Sequence, residues 1–258
     1  MTEARSGVLA RILAKKRTEL PELRKLKLPP APGPRPFSLR RASGKIQLIS
    51  EIKFRSPSAG ALSSALSVTE RARAYERAGA SMISVLCDQS FFDGAFAHLG
   101  EARAASKLPL LCKEFVIDEV QLDAALAYGA DAVLLIVRCL TAEHLTTLVR
   151  ATLDRQLVPF VEVATEEEAR IALGCGATLI GVNARDLDTL AMDALRTSRV
   201  LAELPNHVAR VHLSGIASPD DVRRVAESAA DAALIGEALM RKDQPEALLR
   251  SLVLAAGD

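Results

Sequence analysis

The stretch EIKFRSPSAG, residues 51–60, places acidic, basic and hydroxyl side chains directly after an apolar run. If that run is a β-strand, alternation of side chains puts Glu51, Lys53 and Arg55 on one face. A carboxylate and an ammonium group at the end of a buried strand can exchange protons with a ligand or bind an anion. Because Ser56 adds a hydroxyl group, Lys53, Arg55 and Ser56 together predict one wall of an anion-binding site.

Two further charged residues lie inside apolar runs: Lys113 in LLCKEFV and Glu162 in PFVEVA. Burial of either charge without a partner would cost several kcal/mol, so we expect the two residues to be partners, catalysts or both. A lysine and a carboxylate in opposed environments can act as an acid/base pair at neutral pH. Asn183 and Arg185 follow the next apolar run, in LIGVNAR. A single charged residue near a strand end is usually a solvated rim residue. A functional site is favoured here only because several such residues occur at strand ends.

Glycine-containing turns follow the last two apolar runs. Ser214 and Gly215 belong to SGI, and Gly236 and Glu237 belong to IGEAL. In barrels built from parallel strands, the loops after strands seven and eight commonly bind phosphate through backbone N–H groups. Glycine is common in such loops, but its presence in both favours a phosphate site. Ser56 is expected to complete this site from the first strand.

Eight short apolar runs that could be strands recur at intervals of roughly 20 to 35 residues, as expected of βα units. They are IQLISEIKF, SMISVLCD, PLLCKEFV, DAVLLIVR, PFVEVA, LIGVNAR, ARVHLSGI and AALIGEAL. Several are followed by segments with helical periodicity, and strands apolar on both faces belong to a parallel sheet covered by helices. No G-x-G-x-x-G motif follows the first run. These features predict a closed (β/α)8 TIM barrel of class α/β rather than an open dinucleotide-binding sheet.

The barrel hypothesis divides the chain into residues 1–45 and residues 46–258. The second part is predicted to be one (β/α)8 domain, at whose strand ends the polar residues gather. The first part combines VLARILAKKRTELPELRKLK, typical of a helix, with the Pro-rich connector LPPAPGPRPF. It is long enough to pack on the barrel or fold over its mouth. A disordered leader is the alternative.

Composition limits the classes of ligand and partner. Of the 258 residues, 49% are hydrophobic, and the net charge is +1. This balance predicts no nucleic-acid or membrane partner, so an anionic ligand must be bound locally. The four cysteines and four histidines show no metal-ligand spacing, and we expect free thiols and no metal. Without a signal peptide or a run long enough to span a bilayer, a cytoplasmic location is predicted.

These motifs together resemble the indole-3-glycerol phosphate synthase family over essentially the whole chain. The family signature Glu-x-Lys-x-x-Ser-Pro-Ser is present as EIKFRSPS. Further matches, in the expected order, are SVLCDQSFFDGAFAHL, CKEFVIDEVQL, ADAVLLIV, VEVATEEE, IGVNARDLDTL and IGEALM. The resemblance implies a tryptophan-pathway barrel that closes the indole ring of 1-(2-carboxyphenylamino)-1-deoxyribulose 5-phosphate, releasing carbon dioxide and water. It implies a phosphorylated small-molecule substrate and no cofactor, and it leaves protein partners open.

The resemblance also implies roles for individual residues. Lys113 is implied as the general acid for ring closure, and Glu162 as the acid/base residue for dehydration. Asn183 is implied to hydrogen-bond the reacting hydroxyl group. Lys53 is implied to pair with the substrate carboxylate, and Glu51 to orient Lys53.

The site predicted from the sequence has a catalytic and a binding part. The predicted catalytic residues are Glu51, Lys53, Lys113, Glu162, Asn183 and Ser214. The predicted substrate- and phosphate-binding residues are Ser56, Phe92, Leu134, Arg185, Gly215, Gly236 and Glu237. Within this second set, Phe92 and Leu134 are the implied apolar wall for the aromatic ring of the substrate.

Three positions depart from the family pattern. HLSGI has Leu213 where the family has Glu, Glu114 stands where Asp is usual, and Ala95 replaces a frequent Ser. The family glutamate contributes to the site, so Leu213 predicts a lower activity or an altered proton network on the far side of the pocket.

Two alternative functions follow. One is a non-catalytic or weakly active paralogue that binds phosphorylated metabolites, which Leu213 favours. The other is a barrel like phosphoribosylanthranilate isomerase, which shares the phosphate site but is not expected to carry Lys53, Lys113 and Glu162 together.

Overall fold

A computed structural model describes residues 7–41 and 44–257 of the chain. Eight parallel strands form a closed barrel, which confirms the predicted fold class. Each of the eight predicted runs coincides with one strand, although the strand at PFVEVA begins one residue earlier, at Val158. The strands, numbered β1 to β8, are Gln47–Ile52, Met82–Leu86, Leu110–Lys113, Ala132–Ile136, Val158–Val163, Leu179–Asn183, Ala209–Leu213 and Ala232–Ile235. Strand β8 pairs with β1, and Arg55–Ser56 and Gly60–Ala61 form a short hairpin after β1.

Helices cover the outside of the barrel. They are α1 Val8–Leu23, α2 Val68–Ala78, α3 Gln89–Phe92, α4 Phe96–Ala105, α5 Glu119–Ala127, α6 Ala142–Asp154, α7 Glu166–Gly174, α8 Ala194–Glu203, α9 Pro219–Ala226, α10 Glu237–Met240 and α11 Glu246–Ala255. A 3-10 turn spans Val137–Cys139. Several helices begin at a residue whose side chain caps the first turn. At the start of α2, the Ser67 side chain accepts a hydrogen bond from the Glu70 backbone N–H, and the Glu70 side chain accepts one from the Ser67 backbone N–H. Within the described part of the chain, no helix is both long and apolar enough to cross a bilayer.

Two apolar layers make the core. The larger lies between strands and helices, and the smaller fills the interior of the barrel with side chains such as Ile49, Leu111, Phe160 and Leu234. Alternation along each strand separates the layers, because successive side chains point to opposite faces. Gly181 makes room for this interior, since a Cβ there would clash with the Phe160 ring. Side chains therefore fill the barrel and confine open space to one end.

The N-terminal extension reaches both ends of the barrel. Ile12 and its neighbours on α1 lie over the mouth formed by the carboxyl ends of the strands. The connector then runs to the opposite end, where Arg40 donates a hydrogen bond to the Val208 carbonyl ahead of β7. There Leu39 is buried among the interior side chains. Over residues 7–41, the extension is thus a helix and a connector that contact the barrel at both ends.

The predicted division into residues 1–45 and residues 46–258 stays a prediction. Residues 1–6, 42–43 and 258 lie outside the described part of the chain. The division at residue 45 falls beside the second of these gaps.

Candidate active site

A cavity of about 430 Å³ lies between α1 and the carboxyl ends of the barrel strands. Its volume is within the range of small-molecule sites. Every residue of the predicted catalytic set and of the predicted substrate- and phosphate-binding set lines it. Those residues are Glu51, Lys53, Ser56, Phe92, Lys113, Leu134, Glu162, Asn183, Arg185, Ser214, Gly215, Gly236 and Glu237. They come together because the ends of parallel strands, distant in sequence, meet at one rim of a closed barrel.

Five of these residues form a hydrogen-bonded and ion-paired group, called here the mouth cluster. Lys53 Nζ lies 2.5 Å from Glu51 Oε1, and Lys113 Nζ lies 3.9 Å from Glu51 Oε2. Lys113 Nζ also lies 3.5 Å from Glu162 Oε2, while Asn183 Nδ2 donates a 2.9 Å hydrogen bond to Glu162 Oε1. Lys113 and Glu162 are therefore partners, as their places in apolar runs required.

Exposure differs between the cations and the anions of the mouth cluster. The side chains of Lys53 and Lys113 are 16% and 17% exposed, whereas those of Glu51 and Glu162 are 2% and 4% exposed. Burial by itself raises the pKa of Glu51, but Lys53 and Lys113 outweigh burial and hold that pKa below its ordinary value. Glu51 is therefore a fixed anion at neutral pH, and it holds two ammonium groups toward the cavity.

Backbone and small side chains make another side of the cavity. Gly215 has a φ of +81°, a conformation that favours glycine. A Cβ at Gly236 would clash with the Glu51 carboxylate, so a larger residue there would displace that side chain. Ser56 accepts a 3.1 Å hydrogen bond from the Ala59 backbone N–H, and its hydroxyl group lies 3.4 Å from the Ser58 hydroxyl group. This side therefore presents backbone groups and a small hydroxyl side chain to the cavity.

An apolar wall completes the cavity. The rings of Phe92 and Phe115 lie with their centroids 5.9 Å apart, and Leu134 is buried beside them. Sequence reasoning missed part of the lining: Val8, Leu9, Ile12, Phe115, Ile136, Leu187, Leu190, Ile216, Leu234 and Arg241. Phe115 could have been found, because it is two residues after Lys113. The α1 residues had no such signal, because helical periodicity does not say what a helix covers.

The expectation for Arg55 is wrong. Strand β1 ends at Ile52, and Arg55 lies in the hairpin that follows. Its guanidinium group pairs with Asp93 at 2.8 Å and donates to the Ser90 carbonyl. Alternation along a strand therefore does not extend to Arg55, which is absent from the cavity wall.

Leu213 also differs from its expected position on the far side of the pocket. Its side chain is only 1% exposed and is not part of the cavity wall. It lies opposite Asn183 across the β6–β7 pairing and packs close to Gly181. Leu213 therefore belongs to the apolar layer beneath the site.

A second group of charges, called here the sealed cluster, fastens α1 beside the cavity. Lys16 Nζ lies 2.8 Å from Glu19 Oε2, 2.8 Å from Asp88 Oδ2 and 3.1 Å from Glu114 Oε2. The Lys16 side chain is 4% exposed. Burial raises the pKa of Glu114 to about 7; Lys16 opposes this rise and Asp88 adds to it. The cluster links the helix over the mouth to the ends of β2 and β3.

Comparison with known proteins decides the family. A family model described as "Indole-3-glycerol phosphate synthase" matches residues 9–252. The chain belongs to the indole-3-glycerol phosphate synthase family. An indole-3-glycerol phosphate synthase of Mycolicibacterium vanbaalenii is 45% identical over 215 residues, covering 83% of this chain and 79% of that protein. One of Mycobacterium avium is 40% identical over 251 residues, covering 96% and 92%.

Solved structures agree on the fold. A 3-hexulose-6-phosphate synthase superposes with a TM-score of 0.63 at 17% identity, covering 81% of this chain and 99% of that one. At this identity the likeness shows the barrel alone. Membership of the indole-3-glycerol phosphate synthase family confirms the resemblance found in the motifs, and neither alternative function gains support.

Proposed function

We propose that this protein closes the indole ring of 1-(2-carboxyphenylamino)-1-deoxyribulose 5-phosphate to form indole-3-glycerol phosphate, carbon dioxide and water. The observation that carries the proposal is the position of Lys113, between the carboxylates of Glu51 and Glu162 with its ammonium group toward the cavity. The relatives named for this synthase, at 40% and 45% identity, support the same reaction.

Lys113 acts as the general acid in this proposal. As the aromatic carbon attacks the substrate carbonyl carbon, the new C–C bond forms and the carbonyl oxygen takes a proton from Lys113 Nζ. Breaking the bond to the carboxylate releases carbon dioxide, and its electron pair restores the aromatic ring. Glu51 and Glu162 hold Lys113 Nζ beside the cavity, since their carboxylate oxygens lie 3.9 and 3.5 Å from it. Acid catalysis of this kind typically accelerates a step about 10²- to 10⁴-fold.

Glu162 serves the dehydration. The Glu162 carboxylate removes the proton that the ring system loses and passes it to the new hydroxyl group, which leaves as water. The Asn183 amide, bonded at 2.9 Å, keeps one Glu162 oxygen oriented. The Arg185 backbone N–H donates to Asn183 Oδ1 at 3.0 Å, which fixes the amide in turn. Ser214 is proposed to bind the reacting groups from β7.

Substrate binding is divided among three sides of the cavity. Lys53 binds the substrate carboxylate, and the apolar wall of Phe92 and Leu134 holds the aromatic ring. The phosphate group is bound on the polar side, where the proposed ligands are Ser56, Arg185, Gly215, Gly236 and Glu237. Holding both ends of a flexible substrate brings the reacting carbons together, and coverage by α1 limits access of water.

A turnover assay tests the proposal. Purified protein is mixed with the carboxyphenylamino substrate without added metal or cofactor, and indole fluorescence is followed. We expect fluorescence to grow in proportion to enzyme concentration. Binding is measured separately by calorimetry with the same substrate. Binding without turnover would overturn the enzymatic proposal in favour of the paralogue; absence of both would overturn the substrate assignment.

We also propose a cytoplasmic location and a single catalytic domain over residues 46–258 with residues 1–45 as its extension. The location is supported by the four cysteines, which are all free thiols, as is usual in a reducing compartment. The domain assignment is supported by the continuous closed barrel of β1 to β8.

A further inference from the structure

Arg71 is fully buried, although it lies outside the cavity on α2. Its guanidinium group donates hydrogen bonds to backbone carbonyls, and its Nε atom has no partner. Among the described residues, no carboxylate forms an ion pair with it. A buried cation without a counter-ion is costly, and proteins retain one only where something else compensates for it. Arg71 therefore calls for an explanation beyond packing.

The carbonyls that Arg71 binds belong to two different loops. Nη2 donates to the Ser63 carbonyl at 3.2 Å, in the loop between β1 and α2. Nη1 donates to the carbonyls of Leu239 and Lys242 at 3.4 and 3.3 Å, in the segment between β8 and α11. The Ser63 backbone N–H adds a direct 3.1 Å bond to the Met240 carbonyl. Arg71 is thus the side chain that ties these two loops together from behind.

Both loops line the proposed phosphate side of the cavity. The first carries Ser56, and the second carries Gly236 and Glu237. The Leu239 N–H donates to the Gly236 carbonyl at 3.1 Å, so the turn whose Leu239 carbonyl Arg71 binds begins at Gly236. A change in its hydrogen bonds would therefore move the phosphate ligands relative to each other.

The positive charge of Arg71 also indicates a role in binding the substrate phosphate. Its positive charge lies in a low-dielectric layer directly behind loops that present hydroxyl and N–H groups. Buried charges are screened less than exposed ones, so an anion in the cavity would feel this cation. A phosphate dianion on those loops would be the compensating charge that the described residues do not supply.

We propose that Arg71 is a positioning residue for the substrate phosphate: it holds the two phosphate-binding loops in register and supplies a buried positive charge behind them. The inference rests on the phosphate site of the proposed function. It assigns no direct contact between Arg71 and substrate.

The test compares three substitutions on α2. Arg71→Met keeps an unbranched apolar side chain and removes both charge and hydrogen bonds. Arg71→Lys keeps the charge but not the fork that reaches both loops. Arg73→Met is the matched control, because Arg73 is exposed two residues away on the same helix. Inorganic phosphate binding is measured by calorimetry, and kcat and KM are measured with the carboxyphenylamino substrate.

We expect Arg71→Met to weaken phosphate binding about tenfold and to raise KM about tenfold. We expect its kcat to stay within about threefold of that of the unsubstituted protein. We expect Arg71→Lys to weaken phosphate binding by about threefold, and Arg73→Met to change it by less than about twofold. A purely structural residue would instead lower the thermal midpoint without a separate rise in KM.

Two outcomes would overturn the inference. One is a folded Arg71→Met protein, judged by a cooperative thermal transition, that binds phosphate as tightly as the unsubstituted protein. If Arg71→Met does not fold, unchanged phosphate affinity in Arg71→Lys has the same meaning. An unsubstituted protein that binds neither phosphate nor substrate would instead overturn the proposed function itself.

Discussion

The mouth cluster and the sealed cluster use the same residue types at neighbouring strand ends, yet they suit different tasks. In the mouth cluster the two lysines keep 16% and 17% of their side chains exposed, so a ligand can reach them. In the sealed cluster Lys16 is 4% exposed and carboxylates surround it. The comparison teaches that burial by α1, rather than residue type, separates a reactive group of charges from a structural one.

Charge balance distinguishes the clusters further. The mouth cluster pairs two lysines with two carboxylates. The sealed cluster sets one cation against Glu19, Asp88 and Glu114. Two of these carboxylates, Asp88 and Glu114, are buried and repel each other, and a proton on Glu114 relieves that repulsion. This is consistent with the pKa of about 7 for Glu114.

The largest expected effect comes from removing the proposed general acid. We expect Lys113→Ala to lower kcat by about 10³-fold, within the range of acid catalysis, while substrate binding changes by less than about fivefold. Single-turnover fluorescence and calorimetry measure the two quantities. An unchanged rate would assign the general-acid role to Lys53 and show that the roles of the two lysines in the mouth cluster are wrongly assigned.

Breaking the sealed cluster should affect stability instead. We expect Lys16→Met to lower the free energy of unfolding by about 3 kcal/mol, because buried carboxylates lose their counter-ion. Lys15→Met is the matched control: Lys15 is 49% exposed, and its substitution should cost less than about 0.5 kcal/mol. Urea denaturation measures both. Equal losses for the two variants would contradict the distinction between sealed and exposed lysines.

The two clusters should also differ in how the free energy of unfolding depends on pH. The pKa of Glu114 is about 7 in the folded protein and 4.5 by reference, so the folded state holds a proton that the unfolded chain releases. Its contribution to stability is present below about pH 4.5 and is lost as the pH rises to about 7. We expect Glu114→Gln to remove this loss. As the pH rises from 5 to 8, the free energy of unfolding of the variant should therefore gain about 2 kcal/mol relative to that of the unsubstituted protein.

Urea denaturation of both proteins across that pH range provides the measurement. Glu51 has the opposite sign, because its lowered pKa contributes stability that is lost as the pH falls through that value. Parallel stability curves for Glu114→Gln and the unsubstituted protein would show that the sealed cluster does not take up a proton.

The smallest effect is expected beneath the mouth cluster. Leu213→Glu restores the carboxylate of the family pattern, but residue 213 lies under the cavity rather than in its wall. We therefore expect kcat to change by less than about threefold, with Leu213→Met as an apolar control of similar volume. A rise of tenfold or more would mean that the missing carboxylate limits the mouth cluster.

Much of the site could be predicted because its residues break local patterns. Lys113 and Glu162 interrupt apolar runs, and burial makes such interruptions costly unless they have a function. DAVLLIVR predicts a buried parallel strand for a different reason: its run is apolar on both faces. Arg55 could not be placed, because the alternation rule holds only while the chain remains a strand. Arg71 carried no signal either, since a charged residue on an amphipathic helix is normally solvated.

By itself, the sequence determined the (β/α)8 barrel and the set of side chains at its rim. It could do so because strand and helix periodicities are local, and because parallel strands bring their carboxyl ends to the same edge. Only the tertiary structure decided which charges are reachable: α1 leaves Lys113 open to the cavity and seals Lys16 against three carboxylates. The physical reason is that solvent access and charge balance depend on what packs over a residue, and no local pattern records that.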